Sequence, residues 1–209
     1  VLELVVDGAF AMDTVDTSTE VVLAEEGLRR CPAPTRVLVG GLGLGFTARA
    51  VLADDRVGHV DVVELAEPLV RWSRDGLAPE IIGIEGPRCS LHPADVADVL
   101  AGRSGPPGPW DVVLLDVDNG PGFLVHPSNA SLYAVSGLGT ARAALAPDGV
   151  LVVWSSHVAP SLRRALRDAA RPGDRVEESV LPVVRDGRAF EYALYSLTRA
   201  PERPARMSR

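Results

Sequence analysis

The stretch WDVVLLDVDNGPGFLVHPSNASLY, Trp110 to Tyr133, sets polar groups at the end of an apolar run. Trp110 to Asp116 reads as a buried strand, so Asp116 sits at its tip, and Asp118 and Asn119 follow in a Gly-Pro loop. A carboxylate in that place suits chemistry on an amine. An amine that arrives protonated must lose a proton before it attacks, and a carboxylate both anchors the ammonium and accepts the proton. Asp116 and Asp118 are the catalytic candidates, although an Asx turn is an equal use for Asp118. Asn119 and Tyr133 are placed beside the substrate. His126 and His157 are second-rank bases, His59 and His92 read as structural, and Trp154 suits a pocket wall or core. Ser155 and Ser156 lack the GxSxG elbow of a serine hydrolase.

Three further strand ends point the same way. In VLVGGLGLGF, Val37 to Phe46, a continuous apolar strand runs into Gly41, Gly43 and Gly45. Three alternate glycines exceed what a plain turn needs, and missing side chains let a nucleoside approach the backbone. The GxGxG spacing is not the GxGxxG of a dinucleotide site. Glu64 closes VDVVEL about 20 residues later, where an acid commonly holds ribose hydroxyls. Glu67 reads as a favourable charge in a helical first turn. Asp95 precedes a short helix and either caps it or accepts from an adenine amino group.

Alternating strands and helices must position these groups. Leu2–Val6 and Ala9–Thr14 form a hairpin about Asp7-Gly8, and Thr19–Arg30 a helix. Strands are expected at Arg36–Val39, His59–Glu64, Cys89–His92, Trp110–Asp116 and Gly149–Trp154. Helices are expected at Thr47–Ala53, Glu67–Asp75, Ala94–Ala101, Leu132–Leu145 and Ser161–Ala170. Glu177–Val184 and Ala189–Thr198 close the chain as a hairpin about Arg185-Asp186-Gly187. The fold class is α/β: a doubly wound, mostly parallel sheet with a C-terminal antiparallel hairpin and a short N-terminal β-hairpin. This variant is used by proteins that bind S-adenosylmethionine. The expected division is residues 1–30, a short N-terminal unit; 31–200, a nucleoside-binding catalytic domain; and 201–209, a frayed tail. A first residue of Val is expected where residues have been lost from the start.

Composition narrows the class. Of 209 residues, 46% are hydrophobic and 23% charged, which is globular usage with length enough for a core. All basic residues are arginine, and the net charge of −7 with no basic run argues against a nucleic-acid partner. Two distant cysteines suggest neither a metal site nor a disulfide framework, and point to a cytoplasmic location. No apolar run spans a bilayer, so no membrane association is expected.

The assembled motifs resemble the spermidine synthase family, the polyamine aminopropyltransferases, over nearly the whole chain. LVVDGAF is similar to the family's N-terminal hairpin, VLVGGLGLGF to its GGGDGG turn, and VVELAEPLV to its EIDxxV segment. Ala94-Asp95, DVVLLDVDNGPG against DVIxxDSSDPxGP, and the PDGVLVVW strand continue the likeness. The resemblance implies transfer of an aminopropyl group from decarboxylated S-adenosylmethionine to a diamine, leaving methylthioadenosine. It implies Glu64 on the ribose, Asp95 on the adenine amino group and Asp116 on the attacking amine, with no metal. Homodimers are common in the family. Leu44 stands where the family has an acid in the glycine turn, and Asn119 where it has a second loop acid. The family's N-terminal Gln and Tyr fall near Ala11 and Glu20. Fewer anions than usual then await a dication such as putrescine, so the acceptor amine is left open. A methyltransferase using intact S-adenosylmethionine on a small molecule is the alternative enzyme, although Val39 stands where such enzymes usually begin the glycine motif with an acid. A non-catalytic nucleoside-binding relative is the third reading.

Overall fold

The computed structural model describes residues 1–201 apart from Asp7, Asp16, Asp186 and Gly187. The two hairpin turns and the tail from 202 onward therefore lie partly or wholly outside the described residues. Two strands, β1 (Glu3–Val6) and β2 (Ala9–Asp13), pair as a separate antiparallel sheet. Helix α1 (Ser18–Arg30) follows. The central sheet is then laid down by β3 (Arg36–Gly40), β4 (His59–Glu64), β5 (Cys89–Pro93), β6 (Trp110–Leu115) and β7 (Leu145–Ser155). Helices α2 (Phe46–Leu52), α3 (Glu67–Asp75), α4 (Val96–Leu100) and α5 (Val135–Ala143) connect them. Helix α6 (Pro160–Ala169), β8 (Arg175–Arg185) and β9 (Arg188–Thr198) complete the described fold.

The strand order is β5-β4-β3-β6-β7-β9-β8. The first five are parallel, and β9 pairs antiparallel with both β7 and β8. Order reverses between β3 and β6, so their carboxyl ends part and leave a crevice at that point. The pleat sends alternate residues to opposite faces. Val37 and Val39 join Leu23, Val51 and Val112 in one apolar layer, while Leu38 and Val113 join Leu138, Leu151 and Leu162 in the other. Each such fully buried aliphatic side chain contributes about 1.5–3 kcal/mol.

Helix α1 packs into the first layer through Leu23, Ala24 and Leu28. The helix thus shares one core with β6 and β7. The helix expected over Leu132–Leu145 is shorter. Pro127–Ser131 form a separate 3-10 turn, and Leu145 leaves the helix to pair with Trp110 in the sheet. Cys31 and Cys89 are buried and free.

One polar residue interrupts the apolar interior. Asp61, in the middle of β4, is 3% exposed. It accepts hydrogen bonds from Trp110 Nε1 at 3.1 Å, Arg36 at 3.0 Å and His92 Nε2 at 3.0 Å. Burial opposes its ionisation, but the bonds from Trp110, His92 and Arg36 outweigh that and hold its carboxyl below the usual range. The strand ending in Glu64 is therefore not wholly apolar before its tip. His59 and His92, read as structural, both lie beside this carboxylate.

Candidate active site

A cavity of about 680 Å³ opens over the carboxyl ends of β5, β4, β3, β6 and β7. It is lined by six carboxylates, Glu20 from α1 and Glu64, Glu67, Asp95, Asp116 and Asp118 from the ends of β4, β5 and β6 and the segments that follow them. No arginine lines it among the described residues. Such a wall attracts cations and repels carboxylates and phosphates.

Asp116 stands where β6 leaves the sheet, its backbone N–H donating to the Gly40 carbonyl at 2.9 Å. Gly41, at the end of β3, has φ 97, and a Cβ there would collide with the Asp116 carbonyl oxygen. Glycine at 41 thus lets the two strand ends meet across the crevice. Thr47, in the first turn of α2, donates its hydroxyl to Asp116 Oδ2 at 2.7 Å. Asp116 has no other side-chain partner among the described residues. Burial pushes its carboxyl up to about 6, against the Thr47 bond that lowers it.

Glu64 serves as a clamp. Its Oε2 accepts from Leu42 N and its Oε1 from Ala66 N, both at 2.7 Å, tying the glycine turn to the start of α3. Burial raises this carboxyl, while the backbone N–H bonds oppose the rise. Asp95 caps α4 through Ala97 N at 2.7 Å and also lines the cavity.

Gly41 and Gly43 line the cavity, whereas Gly45 caps α2 and packs against Ile84 outside it. Asp118 lines the cavity, yet it is already committed. Val125 N at 2.7 Å and Asn129 Nδ2 at 3.1 Å bond its Oδ1, and the Tyr133 hydroxyl bonds its Oδ2 at 3.1 Å. That geometry fits an anchor for the loop between β6 and α5 better than a proton acceptor. Tyr133 does not line the cavity; it stands behind Asp118, and burial with that neighbour drives its phenol well up. Asn119, His126 and Trp154 line the cavity, while His157 lies outside it against Phe123. Leu44 is 2% exposed in the core, so its side chain is not a cavity wall.

Met12 has no signal of its own in the sequence, Thr47 has only its place as a hydroxyl in a helical first turn after the glycines, and Glu20 has only its place near the family's N-terminal Gln and Tyr. Glu20 and Met12 reach the cavity only because the N-terminal segment packs over the crevice. No metal-holding group of three or more His, Cys, Asp or Glu occurs among the described residues. No described helix is long and apolar enough to cross a membrane.

Comparison with known proteins gives the family. The profile of the spermine/spermidine synthase domain matches residues 18–178. Spermine synthase of Arabidopsis thaliana is 29% identical over 114 residues, 54% of this chain and 31% of that protein. The aligned segment therefore spans about a third of that relative's length. A spermidine synthase solved in complex with the transition-state analogue AdoDATO superposes with a TM-score of 0.75 at 20% identity, covering 96% of this chain and 67% of that one. An S-adenosylmethionine-dependent O-methyltransferase from Thermotoga maritima shares the fold more distantly, with a TM-score of 0.58 at 13% identity over 92% of this chain and 69% of that one.

Proposed function

Since the chain belongs to the spermine/spermidine synthase domain family, we propose that it transfers an aminopropyl group from decarboxylated S-adenosylmethionine to a small amine. The observation that carries this reading is the cavity wall, six carboxylates with no arginine among the described residues. The residues fit such a donor. A sulfonium and an ammonium are both favoured there, whereas the α-carboxylate of intact S-adenosylmethionine would meet only like charge. The donor supplies an electrophilic methylene on sulfur. The amine's lone pair forms the new C–N bond as the C–S bond breaks, and its electrons leave on sulfur as neutral methylthioadenosine.

The chain's own residues then have distinct tasks. Gly41 and Gly43 border the nucleoside, Glu64 and Asp95 orient ribose and adenine, and Asn119 borders the amine. Asp116 holds the incoming ammonium and accepts its proton. A carboxyl near 6 is mostly ionised at neutral pH yet more basic than an ordinary carboxylate, which suits that step. Thr47 keeps its carboxylate in place. Asp118, fixed by Val125, Asn129 and Tyr133, holds the adjoining loop.

The test is product identity. The protein is incubated with putrescine and either decarboxylated or intact S-adenosylmethionine, and the nucleoside product is weighed. Methylthioadenosine from the decarboxylated donor is expected. S-adenosylhomocysteine from the intact donor would instead make the protein a methyltransferase.

A further inference from the structure

Met12 is where the N-terminal sheet touches the glycine turn. Its Sδ accepts from the backbone N–H of Leu44 at 3.1 Å. It also lies 2.6 Å from the place a Cβ would take on Gly43. Met12 and Gly43 both line the cavity, while the Leu44 side chain is turned into the core. The group that residue 44 offers at this point is therefore its N–H, and the thioether already covers it.

We propose that Met12 selects the donor by occupying the space and the N–H that the carboxylate of an intact methionyl sulfonium would need. This rests on the nucleoside-donor reading above. A carboxylate is stabilised by N–H groups of a turn or by a cationic side chain. No arginine lines this cavity among the described residues, and the surrounding side-chain charges are acidic. The Leu44 N–H is thus a donor such a group would seek, and sulfur, a weak acceptor, blocks it while filling the space above Gly43. A donor without the carboxylate keeps its ammonium, which the acids favour, and has no need of that N–H. Leu44, buried and uncharged, adds no repulsion of its own, so occupancy by Met12 acts beside the repulsion from the acidic wall.

Calorimetric titration with methylthioadenosine, decarboxylated S-adenosylmethionine and S-adenosylmethionine tests this without turnover. The unaltered protein should bind the decarboxylated donor at least tenfold tighter than the intact one. Met12→Ala should tighten S-adenosylmethionine at least fivefold relative to methylthioadenosine. Met12→Leu, which refills the space, should keep most of the discrimination. An unchanged preference in Met12→Ala, or a wild-type preference under twofold, overturns the role of Met12. Should Met12→Ala fail to bind any ligand, the wild-type ratio and Met12→Leu decide, and a Met12→Leu protein without preference counts against the proposal. Failure of the unaltered protein to bind methylthioadenosine would defeat the donor reading itself and this inference with it. Retained methylthioadenosine binding without discrimination defeats Met12 and the donor preference argued from the acidic wall, while the nucleoside site itself stands. Loss of preference confined to Met12→Ala is the result the role of Met12 predicts.

Discussion

Asp61 and Asp116 are carboxylates carried by two parallel strands of one sheet, in the middle of β4 and just past the end of β6, and the fold treats them in opposite ways. Asp61 lies mid-strand and is surrounded by donors: an indole N–H, a guanidinium and an imidazole. Its carboxyl is held below the ordinary range. Asp116 lies at a strand end with one hydroxyl for company, and burial carries it to about 6. A compensated buried acid stabilises a structure, while an uncompensated one destabilises it and is poised to take a proton. The contrast runs in pH as well. The folded pKa of Asp61 is depressed, so its contribution is present above pH ~4 and is lost as pH falls through that lowered value. The folded pKa of Asp116 is raised, so its contribution is present below pH ~4 and is lost as pH rises through about 6.

Replacing Asp116 should break the functional half of this contrast. Asp116→Asn is expected to lower kcat by about 10²–10⁴-fold in a methylthioadenosine release assay. Its melting temperature at pH 8 should be no lower than that of the unaltered protein, because an ionised buried carboxylate is gone. Asp61→Ala should do the reverse. Thermal or denaturant unfolding should show a loss of ~2–4 kcal/mol, since Arg36, His92 and Trp110 lose their shared acceptor. Arg36 is about a third exposed, which keeps the cost from the upper end of the buried-pair range. Activity per folded molecule should be nearly preserved.

Thr47→Val sharpens the comparison by making Asp116 still less compensated. The hydroxyl bond lowers the Asp116 pKa, so its loss should move the acid limb of the rate profile to higher pH by about one unit. Tyr133→Phe has the smallest expected effect. Removing one donor from Asp118 should cost ~1 kcal/mol of stability and a few-fold in kcat through the loop it anchors. A loss as large as that of Asp116→Asn would return Asp118 to the proton-transfer step.

Much of this site was legible because strand ends announce themselves. An apolar run followed by glycines, or closed by a single acid, marks the carboxyl edge of a parallel sheet, and Gly41, Glu64, Asp95 and Asp116 were found that way. Position along the chain says less about where a side chain is already engaged. Asp118 and Tyr133 were read as facing substrate, but they bond each other, a pairing that depends on a loop bend with no local signature. Gly45 looked like Gly41 and Gly43, yet the turn carries it past the cavity to cap α2. Asp61 was overlooked inside a run of valines, because its partners Arg36, His92 and Trp110 come from three other strands. Met12 and Glu20 depend on how the N-terminal segment packs over the sheet, which periodicity does not encode. The doubly wound order itself was readable, since each parallel step needs its connecting helix and the chain supplies one each time.

The pH dependence of methylthioadenosine release under single-turnover conditions, with decarboxylated S-adenosylmethionine bound and putrescine in excess, tests most directly whether Asp116 is the proton acceptor of an aminopropyl transfer. Expected is a rate that climbs with pH through an acid limb near 6 and loses that limb in Asp116→Asn. Methylthioadenosine release whose acid limb is the same in Asp116→Asn, or no release at any pH from protein that binds the donor, would contradict it.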